Sequence, residues 1–482
     1  MKQNVVNNFL WRFMERCGAQ GVSFIVSMVL GRLLGPSVYG TVALVTVFTL
    51  ILQVFVDSGF GNALIQKKDA DELDFSSVFW FNMAMCSFLY LIMFFAAPFI
   101  ASFYNRPELT AVVRVLSLIL IISGLKNVQQ AYVSRNMMFK RFFFSTLGGT
   151  IGAAVVGITM AYFGFGVWAL VAQMLFNTAV DTTILWITVK WRPKKMCSID
   201  RLKALFSYGW KLLISAIIDT VYNELTQLII GKIYSSSDLA QYNRGKQFPQ
   251  FIVTNINSSI DSVLLPTMSK AQDDPAAVRS MTRRAIKTST YIIMPFMAGL
   301  AVCAKPLVGL ILTEEWLPCV PFLRIFCFSF AFYPIHTANL NAIKAMGRSD
   351  LFLILEVLKK IVGIVAILST MWISVMAMAY SVFFTTVICQ IINAWPNKKL
   401  LGYSYLNQFR DMLPQIGMSL GMGAVVFGLQ FLGLNDILTL FLQVPLGMIL
   451  YWGMSKFFHV ESYTYVVNTV KGYFSKPKTK ES

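Results

Sequence analysis

SSVFWFNMAMCSFLYLIMFFAAPFIASF, residues 76–103, contains no charged side chain. It is longer than the roughly 20 apolar residues a helix needs to cross a bilayer. Runs of this kind recur along the whole chain. Hydrophobic residues make up 56% of the 482 and charged residues only 13%, against about 25% charged in ordinary soluble domains. So few charges cannot cover a water-facing surface. The runs are continuous and lack the alternation of barrel strands, which points to helices. The sequence therefore predicts an all-α integral membrane protein with about fourteen transmembrane helices. The predicted spans are 9–34, 38–60, 76–103, 110–127, 142–163, 166–189, 204–232, 247–269, 286–312, 320–344, 351–372, 374–394, 412–433 and 436–458. Connections are short, and none could hold a soluble domain.

The net charge is +18. On a soluble protein this would suggest nucleic acid. On a membrane protein it reflects basic cytoplasmic loops that fix orientation and meet anionic lipid. The basic residues alternate loop by loop. One side collects clusters such as Lys190, Arg192, Lys194, Lys195, Arg201 and Lys203, then Lys270, Arg279, Arg283, Arg284 and Lys287. The other side holds only Arg32, Arg106, Lys232, Arg244, Lys246 and Lys305. This places both termini in the cytoplasm, with the chain in the cell inner membrane. Arg12, Glu15 and Arg16 interrupt the first apolar run, so it is read as a retained helix and not a cleaved signal. The seven cysteines include no C-x-x-C and read as small buried hydrophobes.

The chain repeats itself. Trp11-Arg12 matches Trp210-Lys211, Gly31-Arg32-Leu33 matches Gly231-Lys232-Ile233, and Asp57-Ser58 matches Asp261-Ser262, all at an offset of about 200 residues. Six predicted helices lie in each repeat. Both halves thus enter from the same side, as in parallel repeats about an axis along the membrane normal. The expected organisation is two pseudo-symmetric six-helix lobes, 1–195 and 196–396. Residues 397–482 would add helices 13 and 14 and a basic cytoplasmic tail.

Polar residues inside spans are expensive and mark functional positions. Helix 1 carries Arg12, Arg16, Gln20, Ser23 and Ser27 on one stripe, with Glu15 beside it. Helix 7 carries Lys211, Ser215, Asp219, Tyr222 and Thr226 at the same spacings. Two readings are open. The stripes line a hydrated cavity between the halves, or the basic groups pair locally and snorkel to headgroups. Asn257 and Asp261 in helix 8 match polar positions in helix 2, including Asp57. Both aspartates are placed toward external helix ends. Their alternatives are a helix-end cap, which is preferred, and a gate or coupling carboxylate. Glu356, Lys359 and Lys360 lie within one turn of helix 11, where Glu356 and Lys360 can pair. Arg324 and Arg114 are similarly deep in their spans. His336 stands alone and reads as a structural hydrogen-bonder. No residue pattern suits a metal, and no nucleotide-binding or hydrolase motif is present. Transport energy would come from an H+ or Na+ gradient or from the substrate's own downhill flow.

Seven stretches add a resemblance: GRLLGPSVYGTVALV (31–45), DSGFGNALIQKKD (57–69), SRNMMFKRF (134–142), YNRGKQFPQF (242–251), PTMSKAQDD (266–274), EEWLPCVPFLRIFC (314–327) and AMGRSDLFLILEVLKK (345–360). In their order and spacing the chain resembles the polysaccharide-exporter branch of the multidrug/oligosaccharidyl-lipid/polysaccharide flippase superfamily, nearest to Wzx-type exporters. That resemblance implies two six-helix lobes, alternating access, and an undecaprenyl-diphosphate-linked oligosaccharide as substrate. It implies a basic cavity for the diphosphate, with Arg12, Arg16 and Lys211 matched by place and by repeat. Arg324, Lys359 and Lys360 are further diphosphate candidates. Gln20, Ser23, Ser27, Asp219, Tyr222, Thr226 and Asn257 are candidates for the sugar. The expected partners are that substrate, membrane lipids and the polysaccharide polymerase and chain-length machinery, with no nucleic acid. Three other functions are weighed. A cation-coupled multidrug antiporter would use deep acids such as Asp181, Asp219 and Glu224. A membrane-embedded glycan polymerase or ligase needs a larger external loop than 232–247. The last is a scaffold without transport activity.

Overall fold

The computed structural model describes the backbone of residues 2–57, 60–67 and 69–475. It describes side chains over the same stretches except 2–17, 57, 62, 66, 139, 207, 208, 211, 212, 258, 259, 262, 263 and 469–475. Among the described residues the regular structure is helical throughout. In chain order the helices are α1 (Lys2–Asp57), α2 (Phe60–Gln66), α3 (Glu72–Phe103), α4 (Leu109–Leu116), α5 (Leu118–Arg135), α6 (Phe139–Tyr162), α7 (Val167–Thr188), α8 (Ile199–Ile233) and α9 (Ser236–Ser269). They continue with α10 (Pro275–Val302), α11 (Ala304–Ile311), α12 (Cys319–Ala331), α13 (Tyr333–Ala345), α14 (Ser349–Thr370), α15 (Val375–Leu401), α16 (Tyr405–Gly428), α17 (Asp436–Phe457) and α18 (Glu461–Ser475).

Among the described residues, eleven helical stretches are long and apolar enough to cross a membrane. The difference from fourteen has physical causes. Predicted spans 1 and 2 form one element, α1, bent at Gly35 (φ 69°) next to Pro36. The expected loop at 35–37 is thus a kink between two limbs. Only glycine takes that φ without strain, and proline removes a helical hydrogen bond beside it. The span in α9 is rich in polar groups, which lowers its hydropathy, and α14 carries Glu356, Lys359 and Lys360 within an otherwise apolar stretch. Predicted spans 4, 9 and 10 are each broken into two helices, at Ser117, Cys303 and Phe332. Many large apolar side chains face outward, Phe99 at 76% exposure and Phe431 at 81%. Such surface is stable only against lipid or another apolar partner.

Helix starts are set by short polar caps. Asp71 accepts from the Asp74 amide while the Asp74 carboxylate accepts from the Asp71 amide, a reciprocal box at the start of α3. Asp274 caps α10 ahead of Pro275, and Ser374, Ser404 and Asn435 cap α15, α16 and α17.

The chain forms two compact units, Met1–Ala240 and Gln241–Ser482. In the first unit α6 and α7 pack together and α1 lies along α6. Val26, Leu30 and Val42 of α1 meet Ala169 and Leu170 of α7 in one buried cluster. A second cluster joins Phe75 and Phe79 of α3 to Trp191 and Leu185. The polar 190–198 segment is strapped onto α3: Lys194 N and Ser198 N donate to the hydroxyls of Ser76 and Ser77 at 3.1 and 2.9 Å. The Trp80 indole donates to Lys194 O at 2.9 Å. α8 then packs against α1, α2 and α3.

In the second unit α10 packs on α16, and α14 on α15. Asp411 of α16 accepts from Arg283 at 2.8 and 2.7 Å and from the Tyr403 hydroxyl at 2.8 Å. The terminal helix α18 docks on α10: Lys287 donates to Glu461 at 2.7 Å, and the Ser462 hydroxyl donates to Lys287 O at 3.2 Å. The Lys287 bond holds the Glu461 carboxyl below its ordinary value of 4.5. A depressed folded-state pKa gives stability that is present above the unfolded value and lost as pH falls through the folded one. The protection of α18 backbone amides, measured relative to their intrinsic exchange rate at each pH, is therefore expected to fall when the pH is taken from neutral to about 3.5, while the protection of α10 changes less.

Candidate functional site

An intramembrane polar cluster in the second unit draws on four helices. Asn257 of α9 is buried and donates to the Thr337 hydroxyl of α13 at 2.6 Å. Asp261, one turn further along α9, accepts from Asn341 of α13 at 2.7 Å. On the next turn of α13 toward its start, His336 Nδ1 accepts from Asn393 of α15 at 2.8 Å. The tautomer that fits carries its proton on Nε2. The Tyr333 ring lies edge-on to His336, with centroids 6.1 Å apart. In α14, Lys359 donates to Glu356 at 2.6 Å, with 17% and 31% of their side chains exposed. Lys359 is within electrostatic reach of His336, and Glu356 and Asp261 within reach of Tyr333. Together these groups offer an ammonium, amides, hydroxyls and two carboxylates inside an apolar bundle. Such a set is suited to hydrogen-bonding a polar ligand that crosses the membrane.

Three sequence expectations change here. Asp261 lies inside α9, not at its end, and its carboxylate bonds across to α13, so it is not a helix cap. It also lies toward the α9 terminus that leads into Lys270 and Arg279. On the topology with cytoplasmic termini this is the cytoplasmic end, as it is for Asp57 ahead of Lys67, and not the external one. Glu356 engages Lys359, three residues away, a pairing the sequence reading did not single out.

The remaining candidates are distributed as follows. The side chains of Arg12, Glu15, Arg16, Asp57 and Lys211 lie outside the described residues. Gln20 and Ser23 are exposed on α1 and Ser27 is half-buried. The Ser27 hydroxyl donates to Phe24 O at 2.9 Å, and Ser27 O accepts from the Tyr39 hydroxyl at 3.0 Å, which ties the two limbs of α1 together across the kink. On α8, Asp219 is exposed and Tyr222 and Thr226 are half-buried. Arg324 belongs to a different setting: its Nε donates to Ala301 O at 3.2 Å near the end of α10. Arg114 does the same for Phe94 O at 3.2 Å, with its guanidinium 4.2 Å from the Phe94 ring. Lys360 sits half-buried on α14 beside Lys359. No group of three His, Cys, Asp or Glu could hold a metal among the described residues.

Sequence reasoning passed over the amides of α13 and α15. Gln390, Asn393 and Asn397 recur at spacings of three and four, as do Thr337 and Asn341. That is the same stripe signature seen in helix 1. Asn339, Asn397 and Gln408 form a fully buried triad, with Asn339 Oδ1 accepting from Asn397 at 2.7 Å and from Gln408 at 2.9 Å.

The fold agrees with known proteins. Lipopolysaccharide biosynthesis protein WzxC of Escherichia coli (strain K12) is 23% identical over 447 residues, 89% of this chain and 89% of that protein. Teichuronic acid biosynthesis protein TuaB of Bacillus subtilis (strain 168) is 24% identical over 79% of both chains. Succinoglycan biosynthesis transport protein ExoT of Rhizobium meliloti (strain 1021) is 24% identical over 68% of this chain, and the match spans 66% of ExoT. Among solved structures, the inward closed conformation of the lipid II flippase MurJ superposes with a TM-score of 0.76 at 14% identity, covering 94% of this chain and 99% of that one. An inward-facing MATE transporter of the MOP superfamily gives 0.63 at 14% identity, over 79% of this chain and 94% of that one. ExoT is named as a transport protein, and the two solved structures are a flippase and a transporter. A family model described as polysaccharide biosynthesis protein matches residues 29–321. The chain belongs to that family, and its many membrane-spanning helices take the MurJ- and MATE-like fold.

Proposed function

We propose that the chain flips an undecaprenyl-diphosphate-linked oligosaccharide from the cytoplasmic to the periplasmic leaflet of the inner membrane, for assembly of a surface polysaccharide. The observation that carries this reading is the match to a lipid II flippase over nearly the whole chain in a member of a polysaccharide biosynthesis family. A diphosphate carries about two negative charges and needs charge-assisted donors to leave water. Arg12, Arg16 and Lys211 on the two repeated stripes, with Lys359 and Lys360 on α14, are the proposed donors. Arg324, which serves a helix end, would act at most in the approach. The sugar would meet the neutral polar groups, Asn257 among them. The termini lie in the cytoplasm, and the lobes 1–195 and 196–396 rock about their pseudo-twofold axis. Polymerase and chain-length proteins would receive the flipped lipid.

The test is accumulation of lipid-linked oligosaccharide in a strain that lacks the gene. Wild type is expected to clear it. The triple substitution Arg12→Ala, Arg16→Ala, Lys211→Ala and the double substitution Lys359→Ala, Lys360→Ala should each clear it at least tenfold more slowly at equal membrane levels. A charged hydrogen bond contributes about 1.5–3 kcal/mol, a factor of ten or more. No accumulation in the deletion strain, with unchanged surface glycan, would instead favour a cation-coupled antiporter.

A further inference from the structure

The first unit holds a cavity of about 260 Å³ between the two limbs of α1, α7 and α8. It exists because α1 bends at Gly35. The bend splays the limbs, and the bond from Tyr39 to Ser27 O pins them at 3.0 Å. One part of its lining is polar: Ser27, Tyr39, Thr46, Gln173, Glu224 and Gln227. The rest is aliphatic. Among the described lining residues Glu224 is the one charged group, and Gln227 Nε2 donates to its Oε2.

The composition narrows the ligand. A phosphate would meet the Glu224 carboxylate and finds no basic group among the described lining residues. A hard cation takes about six or more oxygen ligands, and the aliphatic wall supplies none. A pyranose ring suits both surfaces: its hydroxyls are donors for a carboxylate and partners for amides and hydroxyls, and its C–H face packs on an apolar wall. The volume lies below the roughly 300–1,000 Å³ of pockets for drug-sized ligands, which suits a single sugar ring. We infer that this cavity is a monosaccharide subsite that selects among lipid-linked oligosaccharides, with Glu224 and Gln173 reading sugar hydroxyls. The inference rests on the flippase reading, and places sugar recognition apart from the proposed diphosphate donors.

The test measures binding of two lipids to the purified full chain: the native undecaprenyl-diphosphate-linked oligosaccharide, and undecaprenyl diphosphate with no sugar. Glu224→Gln keeps the shape of the side chain, and Gln173→Leu removes an amide on a different helix. Each is expected to weaken binding of the glycosylated lipid about tenfold, and to leave the sugar-free lipid within about twofold. Thermal melting confirms that each variant is folded, so one failing to fold leaves the other to decide. Equal weakening for both lipids, or none for the glycosylated lipid, would overturn the subsite. A wild-type chain that binds neither lipid would overturn the transport reading instead.

Discussion

Replacing Asp74 with alanine is expected to destabilise the protein by about 3 kcal/mol and to lower its level in the membrane sharply. Asp74 is fully buried at the start of α3. Its Oδ2 lies 2.6 Å from Lys67 Nζ and also accepts from the Asp71 amide at 3.2 Å. Arg201 Nη1 lies 3.7 Å from Oδ1. Removing one partner of a buried ion pair costs about 3–5 kcal/mol, because the other charge stays behind uncompensated. Lys67 is 28% exposed and Arg201 42%, so both can recover water. This argues for the lower end of that range. The loss reaches further than one pair, because the same turn of α3 carries Ser76 and Ser77, which hold the 190–198 segment. Asp74→Asn keeps the size and one acceptor and is expected to cost about half as much. The check is thermal unfolding of the purified protein, with the order wild type, Asp74→Asn, Asp74→Ala. A melting point for Asp74→Ala within a degree of wild type would show that Lys67 and Arg201 are satisfied without it.

The same region shows what the sequence could and could not disclose. Apolar runs such as 76–103 announce their helices because lipid leaves the backbone no alternative to internal hydrogen bonds. The start of α3 was also legible, since Asp71 and Asp74 stand three apart just before an apolar run, the signature of a reciprocal cap. The bend of α1 was half legible: Gly35-Pro36 marks a break, but a loop and a kink leave the same local signal. Breaks at Ser117, Cys303 and Phe332 were not legible, because helix ends inside apolar sequence carry no composition change. The site divides in the same way. Stripes on one helix can be read from spacing, as for Ser27 and Asn257. Pairings between helices cannot, because nothing near Asp261 indicates that Asn341, eighty residues later, will be its donor. The cavity beside Glu224 is the clearest case, since it comes from a kink, a helix crossing and an aliphatic wall together.

Gly40→Ala should be far more damaging than Gly231→Ala, although both put one methyl into the same contact between α1 and the α8–α9 junction. At Gly40 an added Cβ would lie 1.8 Å from the carbonyl oxygen of Ser236 and 2.4 Å from its carbonyl carbon. Both are backbone atoms at the buried start of α9, so relief requires one helix to move. At Gly231 the Cβ would lie 2.0 Å from Leu44 Cδ2, the free end of a side chain that can change rotamer. Small residues at such crossings let helix backbones approach closely, which is a main source of helix association in lipid. Overpacking costs about 1–3 kcal/mol where side chains must shift, and a rigid backbone obstacle belongs at the top of that range. Alanine offsets about 1 kcal/mol of this through its better helix propensity. The expected net loss is about 2 kcal/mol for Gly40→Ala and close to zero for Gly231→Ala, read as thermal stability in detergent. Transport should follow the same order, because the crossing joins α1, which carries the Arg12 stripe, to α8, which carries the Lys211 stripe. The contrast has a built-in control. Leu44→Ala empties the space that Gly231→Ala fills, so the double variant Leu44→Ala, Gly231→Ala should be no less stable than Leu44→Ala alone. No such companion exists for Gly40, whose obstacle is main chain. Equal stability for the two single variants would mean that α8 and α1 do not approach as closely in the membrane as this packing requires.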